Sequence, residues 1–428
     1  MPTPRALLDE WFGTAVAAAH PASRLPALLP APPTRGRLVL LAAGKAAGSM
    51  TEVAERHYLD AGFPAARLDG IAVTRHGYGR PTRRIPVIEA GHPVPDEASR
   101  TAAEQALGLA AGAGADDLVL ALLSGGASAN WVAPAAGLDL AQKQAVTRAL
   151  LRCGAGIGEI NAVRKHLSRI KGGRLAAAAA PARIVALAIS DVPGDDPAVI
   201  GSGPTVPDPT TLAEARAIVA RYRLELPEPV TRALADPANE SPKPGDRAFA
   251  GSAFHLVARP ADAFAAVTNR IVERGYECIM LGDRIEGEAS AVAAAHAAMA
   301  RDLRRQGRRA VILSGGELTV TIRGNGRGGP NQEYALGLAI HLDGERGIAA
   351  LAADTDGTDG GGGSAADPAG AFADGATAGR ARTLGLDPAA FLHNNDSTTF
   401  FARLGDLVAP GPTYTNVNDF RAIVIDQD

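Results

Sequence analysis

The chain has 428 residues and a formal charge of -3, with 46% hydrophobic and 21% charged residues. This length predicts two domains, or at most three, and the composition is that of a globular protein rather than a disordered one. The small net charge excludes a broad electrostatic attraction for nucleic acid or an anionic membrane surface, so small molecules are the expected partners.

The opening segment MPTPRALLDEWFGTAVAAAH carries acidic residues before any apolar run, which is wrong for a secretory signal. No apolar run approaches the ~18 residues that a membrane span needs. Cys153 and Cys278 make neither a disulfide framework nor a repeated metal-ligand spacing. We expect a cytoplasmic enzyme or binding protein, and the sequence leaves its oligomeric state open, a homo-oligomer included.

Short apolar runs in the first half predict buried strands at RLVLLAA (37–43), DLVLALL (117–123) and ARIVALAIS (182–190). Their near-continuous apolar character is typical of strands covered on both faces. Helical periodicity lies near residues 46–60, 96–111, 139–152 and 211–222. This alternation predicts a parallel sheet covered by helices.

A proline-rich segment then interrupts the pattern and prevents a long regular element. Its prolines are Pro227, Pro229, Pro237, Pro242 and Pro244. We therefore place the domain boundary here, with a first domain of residues 1–243 and a second domain of residues 244–428.

The second half again alternates strands and helices. Strands are predicted at FHLVA (254–258), YECIML (276–281), AVILSGG (310–316) and RAIVI (421–425), and helices near residues 261–274 and 286–305. In ELTVTIR (317–323) apolar residues alternate with threonines, which predicts a strand with one wet face. The second domain is therefore also predicted to be α/β.

Several apolar strands run directly into glycine- or aspartate-rich loops at their carboxyl ends. These loops are AAGK (42–45), SGGAS (124–128), SDVPGDDP (190–197), SGGE (314–317) and DTDGTDG (354–360). In open α/β sheets ligands bind outside the carboxyl ends of strands, so we expect the loops to form one crevice in each domain. The glycine-rich turns SGGAS and SGGE are candidate phosphate or carboxylate nests, with ordinary turn glycines as the alternative.

Lys45 stands after a strand and at the start of a predicted helix, where its ammonium group can reach a phosphate as a point charge. A solvated first-turn lysine is the alternative. The Walker pattern is absent, because no glycine stands five residues before Gly44 and Ala46 replaces its Ser or Thr. Any nucleotide binding would therefore not use a P-loop.

Aspartates gather after two of the strands. Asp191 follows the strand at 182–190, and Asp354, Asp356 and Asp359 lie within six positions. Like charges this close repel by about 1 kcal/mol even in water, so we expect a cation to visit them. Mg²⁺ commonly takes one or two carboxylates and completes its shell with phosphate oxygens. We predict Mg²⁺ ligands at Asp191 and Asp354, with turn and helix-cap chemistry as the alternative.

The segment GNGRGG spells GxGxxG at Gly324, Gly326 and Gly329, before a helix predicted to begin at Pro330. This is the local context of a dinucleotide fingerprint. Against it, the preceding strand alternates polar and apolar residues, whereas the first strand of a dinucleotide fold is usually buried on both faces. An oxidoreductase is therefore kept as the alternative function.

The segment EINAVRKHLSRIKGGRLA has an apolar stripe at Ile160, Val163, Leu167 and Ile170. Basic residues surround the stripe at Arg164, Lys165, His166, Arg169 and Lys171. A solvated outer face is one interpretation. A cationic wall that faces an anionic substrate is the other.

Taken together, these motifs resemble the class II glycerate kinases, whose C-terminal half is known as the MOFRL domain. The matching segments are AAGKAAGSM, GHPVPDEAS, LSGGASA, EINAVRKHLSRIKGGRLA, SDVPGDDPAVIGSGPTVPD, LSGGELTV, GNGRGGPNQEYAL, DTDGTDG, NDS and GPTYTNVNDF. They run from about residue 40 to residue 420, so the resemblance covers nearly the whole chain.

The resemblance implies a two-domain α/β enzyme, with a Rossmann-like three-layer first domain, a mostly parallel sheet and a MOFRL-type second domain. It implies transfer of the terminal phosphoryl group of ATP to D-glycerate in the cleft between domains, usually giving 2-phosphoglycerate. It also implies that Lys45 is catalytic and that Arg327 is the arginine of the GRGG region. Two positions depart from the family, because Pro330 stands where many members have arginine and Tyr414 replaces a common glycine.

Phosphoryl transfer requires the protein to position two anions and to neutralise charge along an in-line path. We therefore assign Lys45 and Arg327 to the transferring group, and Asp191 to the 2-hydroxyl or to Mg²⁺. The glycerate carboxylate or a phosphate is assigned to Ser124, Gly125 and Gly126.

The nucleotide and its metal are assigned to the second domain, at Gly315, Gly316, Glu317, Asp354 and Asp356. Asn331 and Glu333 are expected to line the mouth of the site if a helix begins at Pro330. The competing functions are an NAD(P)H-dependent hydroxypyruvate reductase, a label that family members have carried, and a non-catalytic sensor of sugar acids or nucleotides.

Overall fold

The computed structural model describes residues 2–360 and 364–427. They form two compact units, one of residues Arg24–Val257 and the other of the residues up to Ser23 together with those from Ala258 onward. The start of the chain thus belongs with its C-terminal part, whereas the sequence interpretation placed all of residues 1–243 in one domain. The division between residues 243 and 244 itself stays a prediction.

The helices and strands follow the alternation expected of an α/β protein. The helices are α1 (Pro4–Ala19), α2 (Pro21–Leu28), α3 (Ala47–Asp60), α4 (Glu97–Ala111), α5 (Ala127–Asn130), α6 (Leu140–Arg152), α7 (Ile157–His166), α8 (Arg174–Ala179), α9 (Leu212–Arg221), α10 (Glu228–Ala235), α11 (Pro260–Glu273), α12 (Ala289–Arg305), α13 (Pro330–His341), α14 (Thr377–Thr383), α15 (Pro388–His393) and α16 (Ser397–Leu404). The strands are β1 (Leu38–Ala43), β2 (Leu68–Arg75), β3 (Val87–Ala90), β4 (Leu118–Leu123), β5 (Arg183–Ile189), β6 (Ala253–Ala258), β7 (Glu277–Gly282), β8 (Gly287–Glu288), β9 (Ala310–Gly316), β10 (Leu318–Thr319), β11 (Ile348–Asp354), β12 (Gly370–Asp374), β13 (Leu407–Val408) and β14 (Asp419–Ile425).

The unit of residues 24–257 is built on a six-stranded sheet in the order β3-β2-β1-β4-β5-β6. The pairs β3–β2, β2–β1, β1–β4 and β4–β5 are parallel. Helix α3 contacts β1, β2 and β4, and helix α4 contacts β1, β2 and β3. The predicted mostly parallel α/β fold is confirmed, and the parallel pairing brings the carboxyl ends of β1, β4 and β5 to one edge of the sheet.

The strands β1 and β4 are buried along their whole length, as their continuous apolar runs predict. Val39, Leu41 and Val119 pack in one core with alanines of α4 and with Leu175 of α8. The alternate residues, such as Leu40, are fully buried as well. Burying one such side chain contributes roughly 1.5–3 kcal/mol, so the carboxyl edge of this sheet rests on a well-packed core.

The other unit has a mixed six-stranded sheet in the order β13-β12-β11-β14-β9-β7. The strands β7 and β9 are parallel, whereas β14 runs antiparallel to both β9 and β11. One face of the sheet packs on α12 and α13 in a single apolar core. This topology makes the second unit α/β as predicted, but its sheet is not parallel throughout.

Helix α1 contacts helix α11 and the strands β11 and β14 of this second sheet. The ring of Phe12 lies 5.9 Å from that of Phe420, and Phe264 stacks on the same Phe420 ring at 6.2 Å. Trp11 is fully buried, with its ring 5.9 Å from that of Tyr276. These aromatic contacts explain why the first residues belong to this unit, which the order of elements along the chain does not indicate.

The predicted strand ELTVTIR is mostly wrong. Only Leu318–Thr319 pairs, in a two-stranded parallel sheet with Gly287–Glu288. Leu318 is buried, but Ile322 is 75% exposed. The alternating pattern therefore has no apolar surface to cover along its second half, and the segment leaves the sheet after Thr319.

Among the described residues, no helix combines the length and the apolar character that crossing a membrane requires.

Candidate functional site

The loops AAGK and SGGAS leave neighbouring parallel strands and lie against each other, as the strand-end pattern predicts. The Lys45 amide donates to the Gly125 carbonyl at 2.8 Å. The Ser124 amide donates to the Ala43 carbonyl at 3.1 Å, and the Ser124 Oγ accepts from the Ala46 amide at 2.9 Å. These bonds fix the backbone of Lys45 relative to the glycines of SGGAS.

Glycines make this close approach sterically feasible. Gly44 has a φ of +118°, and a Cβ atom there would collide with Ser124. At Gly126, with a φ of +85°, a Cβ atom would lie 2.9 Å from the His92 ring and 3.4 Å from the Lys45 Cγ. Gly126 is thus flanked by the stem of Lys45 and by His92. The sequence interpretation missed His92, since only the fold brings its loop here.

The amides of the two glycines in SGGAS lack protein acceptors. Across residues 2–360 and 364–427, neither Gly125 nor Gly126 donates a backbone hydrogen bond, although Gly125 is buried. Buried backbone amides are nearly always paired in native proteins, so an unpaired one requires an explanation such as a bound ligand. The nest predicted at SGGAS therefore has the donors that an anion needs.

Asp191 follows β5, which pairs with β4, so its loop leaves the same edge of the sheet as SGGAS. Its side chain is half-buried. This position agrees with the expected one, and the catalytic and metal-binding roles of Asp191 stay predictions.

The basic segment after α6 is neither a solvated face nor a continuous cationic wall. Helix α7 ends at His166, and Lys165 forms a buried ion pair with Asp208 at 3.2 Å. His166 is fully buried and bonds the Glu240 carboxylate at 3.1 Å. Arg169 pairs with Glu104. Both interpretations are therefore wrong for Lys165 and His166, because each has its own internal partner.

Arg164 and Lys171 of this segment contact Ser128, the last residue of SGGAS, and Lys143 of α6 contacts the backbone of Arg164. Lys171 Nζ donates to the Ser128 carbonyl at 2.7 Å, and Arg164 Nη2 donates to the Ser128 Oγ at 2.7 Å. Lys143 Nζ donates to the Arg164 carbonyl at 3.0 Å. Burial, and to a smaller extent the charge of Arg164, hold the pKa of Lys143 and of Lys171 well below the usual value.

In the second unit, two predicted loops flank one buried aspartate. Asp419, the first residue of β14, pairs with Asp354 at the end of β11 and with Gly316 at the end of β9. Arg421 Nη1 donates to Asp419 at 2.8 Å, and Asn331 Nδ2 donates to it at 2.6 Å. Burial raises the pKa of Asp419, and these donors oppose that rise. The sequence interpretation quoted the motif that contains Asp419 but did not single it out.

The aspartates of DTDGTDG bind neighbouring backbone amides. Asp354 Oδ1 accepts from the Asp356 amide at 2.9 Å, and Asp356 Oδ1 accepts from the Thr358 amide at 2.7 Å. Asp354 is half-buried and Asp356 is buried. Turn chemistry, the alternative interpretation, therefore occurs at both residues, and their nucleotide and metal roles stay predictions.

Asp359 lies at the start of α13 and accepts from the Asn331 amide at 3.0 Å and the Gln332 amide at 2.8 Å. Despite these donors, burial raises the pKa of Asp359 to about 7. A large fraction of Asp359 is therefore protonated at neutral pH. A helix N-terminus and partial protonation thus reduce the repulsion that led us to expect a visiting cation.

Within residues 2–360 and 364–427, no three His, Cys, Asp or Glu side chains come together as a metal site. Mg²⁺ often needs only one or two carboxylates, because phosphate oxygens and water complete its shell. The carboxylates of Asp354 and Asp356 are a donor set of that kind. The residues present therefore fit the ion as a partner of a bound phosphate.

The glycines of SGGE are explained by packing. A Cβ atom on Gly316 would collide with the backbone of Ile285, and one on Gly315 would lie 2.5 Å from the Phe264 ring. Glu317 follows directly and is exposed. The close packing of Gly315 and Gly316 fits the alternative interpretation, and the nucleotide-binding roles of all three residues stay predictions.

Helix α13 begins at Pro330 as predicted, but the two substrate-binding candidates on it are buried. Asn331 is 1% exposed and its Oδ1 has no hydrogen-bond partner in the part of the chain that the structure describes. Glu333 is 5% exposed and accepts from Asn395 Nδ2 at 3.0 Å. Burial raises the pKa of Glu333, while Asn395 opposes that rise. Their expected place at the mouth of the site stays a prediction.

Arg327 lies in the loop before α13 with an exposed side chain, 3.5 Å from the Asp367 carboxylate. Its amide donates to Asp396 Oδ1 at 3.0 Å. Pro330, which stands where many family members have arginine, occupies the first helical position of α13. Arg327 therefore has an exposed guanidinium close to Asp367, and its catalytic role stays a prediction.

The glycines of GNGRGG contact protein backbone rather than open space. A Cβ atom on Gly324 or Gly326 would collide with Asn394, and one on Gly329 would collide with Asp359. The strand before them is only Leu318–Thr319. A dinucleotide fingerprint requires a buried parallel strand that runs directly into the glycine turn, and this segment lacks that context.

Comparison with known proteins relates the chain to one family over most of its length. Residues 7–235 match a family model described as "Domain of unknown function (DUF4147)", and residues 310–419 match the MOFRL family model. A crystal structure of a glycerate kinase from Thermotoga maritima superimposes with a TM-score of 0.84 at 36% identity, covering 98% of this chain and 99% of that one.

Similar sequences carry two kinds of name. The D-glycerate 2-kinase of Thermotoga maritima is 38% identical over 90% of this chain and 89% of its own length. The glycerate 2-kinase of Pyrococcus horikoshii is 38% identical over 91% and 88%. A protein of Agrobacterium vitis named as a hydroxypyruvate reductase is 48% identical over 98% and 94%. From its family models, its kinase relatives and its structural match, the chain belongs to the MOFRL family of class II glycerate kinases.

Proposed function

We propose that this chain transfers the terminal phosphoryl group of ATP to D-glycerate and forms 2-phosphoglycerate. The observation that carries the proposal is the junction of AAGK and SGGAS, where Lys45 is held beside two glycine amides that have no acceptor among the described residues. A lysine next to an anion-binding turn suits a reaction in which charge must be neutralised along an in-line path. The names of the Thermotoga and Pyrococcus relatives support the same reaction.

In this proposal the acceptor and the transferring phosphoryl group use residues 24–257. Gly125 and Gly126 donate their amides to an anionic oxygen, and Ser124 fixes the turn through its bond from the Ala46 amide. Lys45 stabilises the negative charge on the transferring group. Asp191 holds the acceptor hydroxyl in line with that group.

The nucleotide is assigned to the loops beside Asp419, with Asp354 and Asp356 as the residues that would hold Mg²⁺. The ion would neutralise phosphate charge when bound. Glu317, which is exposed, is assigned to the nucleotide, and Arg327, whose side chain is also exposed, is assigned to the transferring phosphoryl group.

The direct test is incubation of the purified protein with ATP, MgCl₂ and D-glycerate, followed by phosphorus NMR of the product. We expect consumption of ATP that depends on D-glycerate and a resonance of 2-phosphoglycerate. A 3-phosphoglycerate resonance would correct the regiochemistry, and absence of turnover would overturn the proposal.

The name of the Agrobacterium relative motivates one competing activity, reduction of hydroxypyruvate by NAD(P)H. The same protein incubated with NADH or NADPH and hydroxypyruvate should leave absorbance at 340 nm unchanged. Oxidation of the nicotinamide would establish the reductase instead. A sensor of sugar acids would bind D-glycerate in calorimetry without turnover in either assay.

Asp354→Asn tests the metal assignment. The amide oxygen can still accept from the Asp356 amide, so the turn should be kept, while the negative charge is lost. We expect the Mg²⁺ concentration for half-maximal activity to rise about tenfold, a loss of about 1.4 kcal/mol. Asp374→Asn is a matched control, because Asp374 also accepts from a backbone amide two residues later. An unchanged Mg²⁺ response of Asp354→Asn would leave only the turn role.

A further inference from the structure

The cations around Ser128 lack a counter-charge. In the described part of the chain, no Asp or Glu forms an ion pair with Lys143, Arg164 or Lys171. Like charges held together away from water repel one another, and burying a charge without a partner is costly. An anion bound at this place would relieve both costs.

The ammonium groups of Lys143 and Lys171 are occupied by hydrogen bonds within the protein, whereas the guanidinium of Arg164 is only partly occupied. Lys171 Nζ contacts three oxygens of Ser128 and Trp131, and Lys143 Nζ contacts two backbone carbonyls. Arg164 is half-buried and makes two hydrogen bonds, one of them at 3.5 Å to Asn161. A guanidinium has five N–H donors, so Arg164 keeps donors for a ligand.

The donors around the Ser128 hydroxyl determine the direction of its hydrogen bond with Ser202. The Ser128 Oγ has two lone pairs, and Arg164 and Lys171 donate to it at 2.7 and 3.1 Å. Its own proton must therefore go to the Ser202 Oγ at 2.7 Å. Ser202 is buried with a φ of +65°, a conformation that is rare for serine and marks a constrained position. Ser128 and Ser202 together hold the guanidinium in one orientation.

The same loop carries the unpaired amides. Gly125 and Gly126 stand three and two positions before Ser128, on the turn between β4 and α5. An anion that accepts from these amides and from Arg164 would therefore be held by one short loop and one helix. A planar carboxylate suits this arrangement, because a guanidinium can bind both of its oxygens.

We propose that Arg164 binds the carboxylate of the acceptor, with Ser128 and Ser202 as positioning residues that orient its guanidinium against the SGGAS loop. This inference rests on the proposed glycerate kinase function. It gives the enzyme a reason to prefer three-carbon hydroxy acids over the corresponding alcohols and amides.

The test compares Arg164→Gln and Arg164→Lys with the wild-type holoenzyme in steady-state kinetics with ATP and Mg²⁺. We expect KM for D-glycerate to rise about 10- to 100-fold in Arg164→Gln, which is the scale of a hydrogen bond to a charged group. Arg164→Lys keeps the positive charge but loses the paired N–H donors of the guanidinium. Its KM for D-glycerate should therefore lie between the values of the wild type and of Arg164→Gln. The KM for ATP should change less than about twofold.

Glyceramide, the neutral amide of D-glycerate, separates binding from a structural effect. With glyceramide, the KM as a substrate or the inhibition constant as a competitive inhibitor should change little in Arg164→Gln, because the amide has no negative charge for Arg164 to bind. Arg169→Gln is the matched control, since Arg169 lies on the same segment and pairs with Glu104 at the surface. Its kinetics should be those of the wild type.

The outcomes distinguish this inference from the proposed function. Wild-type protein without D-glycerate kinase activity overturns the proposed function. Wild-type activity with an unchanged KM for D-glycerate in Arg164→Gln overturns the role of Arg164 alone. A rise in KM for ATP instead of D-glycerate assigns Arg164 to a nucleotide phosphate, and an equal loss with D-glycerate and glyceramide assigns it to folding, so either result also overturns the inference.

Discussion

The backbone of Lys45 is held by hydrogen bonds in which its ammonium group takes no part. Its amide is bonded to Gly125 and its carbonyl accepts from Thr74 Oγ1 at 3.3 Å, so neither bond depends on the ammonium group. A substitution at this residue can therefore remove the charge while leaving the junction of AAGK and SGGAS in place.

Lys45→Ala is expected to lower kcat at least ~10²-fold, the scale on which electrostatic stabilisers act. Circular dichroism and the melting temperature should stay those of the wild type. Lys243→Ala, a lysine of the same unit that contacts Glu240 and Ser241, is the control and should keep its kcat. Activity of Lys45→Ala within threefold of wild type would exclude Lys45 from catalysis.

Tyr414 shows how a departure from the family motif is accommodated. It replaces a common glycine of the GPT-G-TNVND motif, and its φ is +60°, the left-handed region that glycine occupies without strain. Tyr414 therefore adopts a backbone conformation that glycine would adopt without strain. Tyr414→Gly should release about 1 kcal/mol of backbone strain and raise the free energy of unfolding by up to that amount.

Chemical denaturation of Tyr414→Gly and of Tyr414→Ala tests this point. The alanine variant removes the ring without relieving the backbone, so it corrects for lost side-chain contacts. Equal stability of the two variants would show that the positive φ carries no strain.

At the scale of elements, Asp359 makes the stability of the protein around the start of helix α13 depend on pH. With a pKa raised to about 7, the native state keeps a proton that the unfolded chain releases near pH 4. The native state therefore binds more protons between about pH 4 and pH 7. The stability that this group contributes is present below pH 4 and is lost as the pH rises toward 7, by up to about 1.4 kcal/mol per pH unit.

Asp359→Asn removes this titration and keeps one of the two acceptor oxygens, so that one of the bonds from the amides of Asn331 and Gln332 can still form. Between pH 5 and pH 7 the wild type should lose about 2 kcal/mol more stability than the variant. Urea unfolding at the two pH values measures the difference. Parallel pH dependence of the two proteins would mean that Asp359 is already ionised at pH 5.

Strands and their loops could be predicted because their signals are local. The runs that became β1, β4, β5 and β9 are continuous and apolar, and each ends in a glycine or aspartate loop. The alternating segment ELTVTIR gave a wrong strand prediction, because alternation indicates a strand only where the apolar residues of one face pack on a core. Contacts across the fold, such as His92 beside Gly126 or Arg164 on Ser128, have no local signal, and the same holds for the burial that protonates Asp359.

At the scale of the whole molecule, the two tryptophans report separately on the two units. Trp11 lies in α1 and Trp131 follows α5, and both are almost fully buried. Trp11→Phe and Trp131→Phe variants therefore leave one fluorescence probe in each unit. Unfolding of each unit can then be followed by its own emission.

Phe12→Ala tests the membership of α1. The change removes a ring packed on Phe420 and should destabilise the unit reported by Trp11 by about 3–5 kcal/mol. The transition reported by Trp131 should move by less than about 0.5 kcal/mol. Asp9→Ala, on the exposed side of the same helix, is the control. A shift of the Trp131 transition alone would place α1 with residues 24–257 instead.

The position of α1 also has a consequence for biosynthesis. This helix is synthesised before residues 24–257, but α11, β11 and β14, which cover its apolar side, are synthesised only after them. Domains generally fold as they emerge from the ribosome. Residues 24–257 can therefore fold while the side chains of Trp11 and Phe12 are still exposed to solvent. The nascent chain therefore exposes the apolar side of α1 until β14 has been synthesised, which makes α1 a natural binding site for a chaperone.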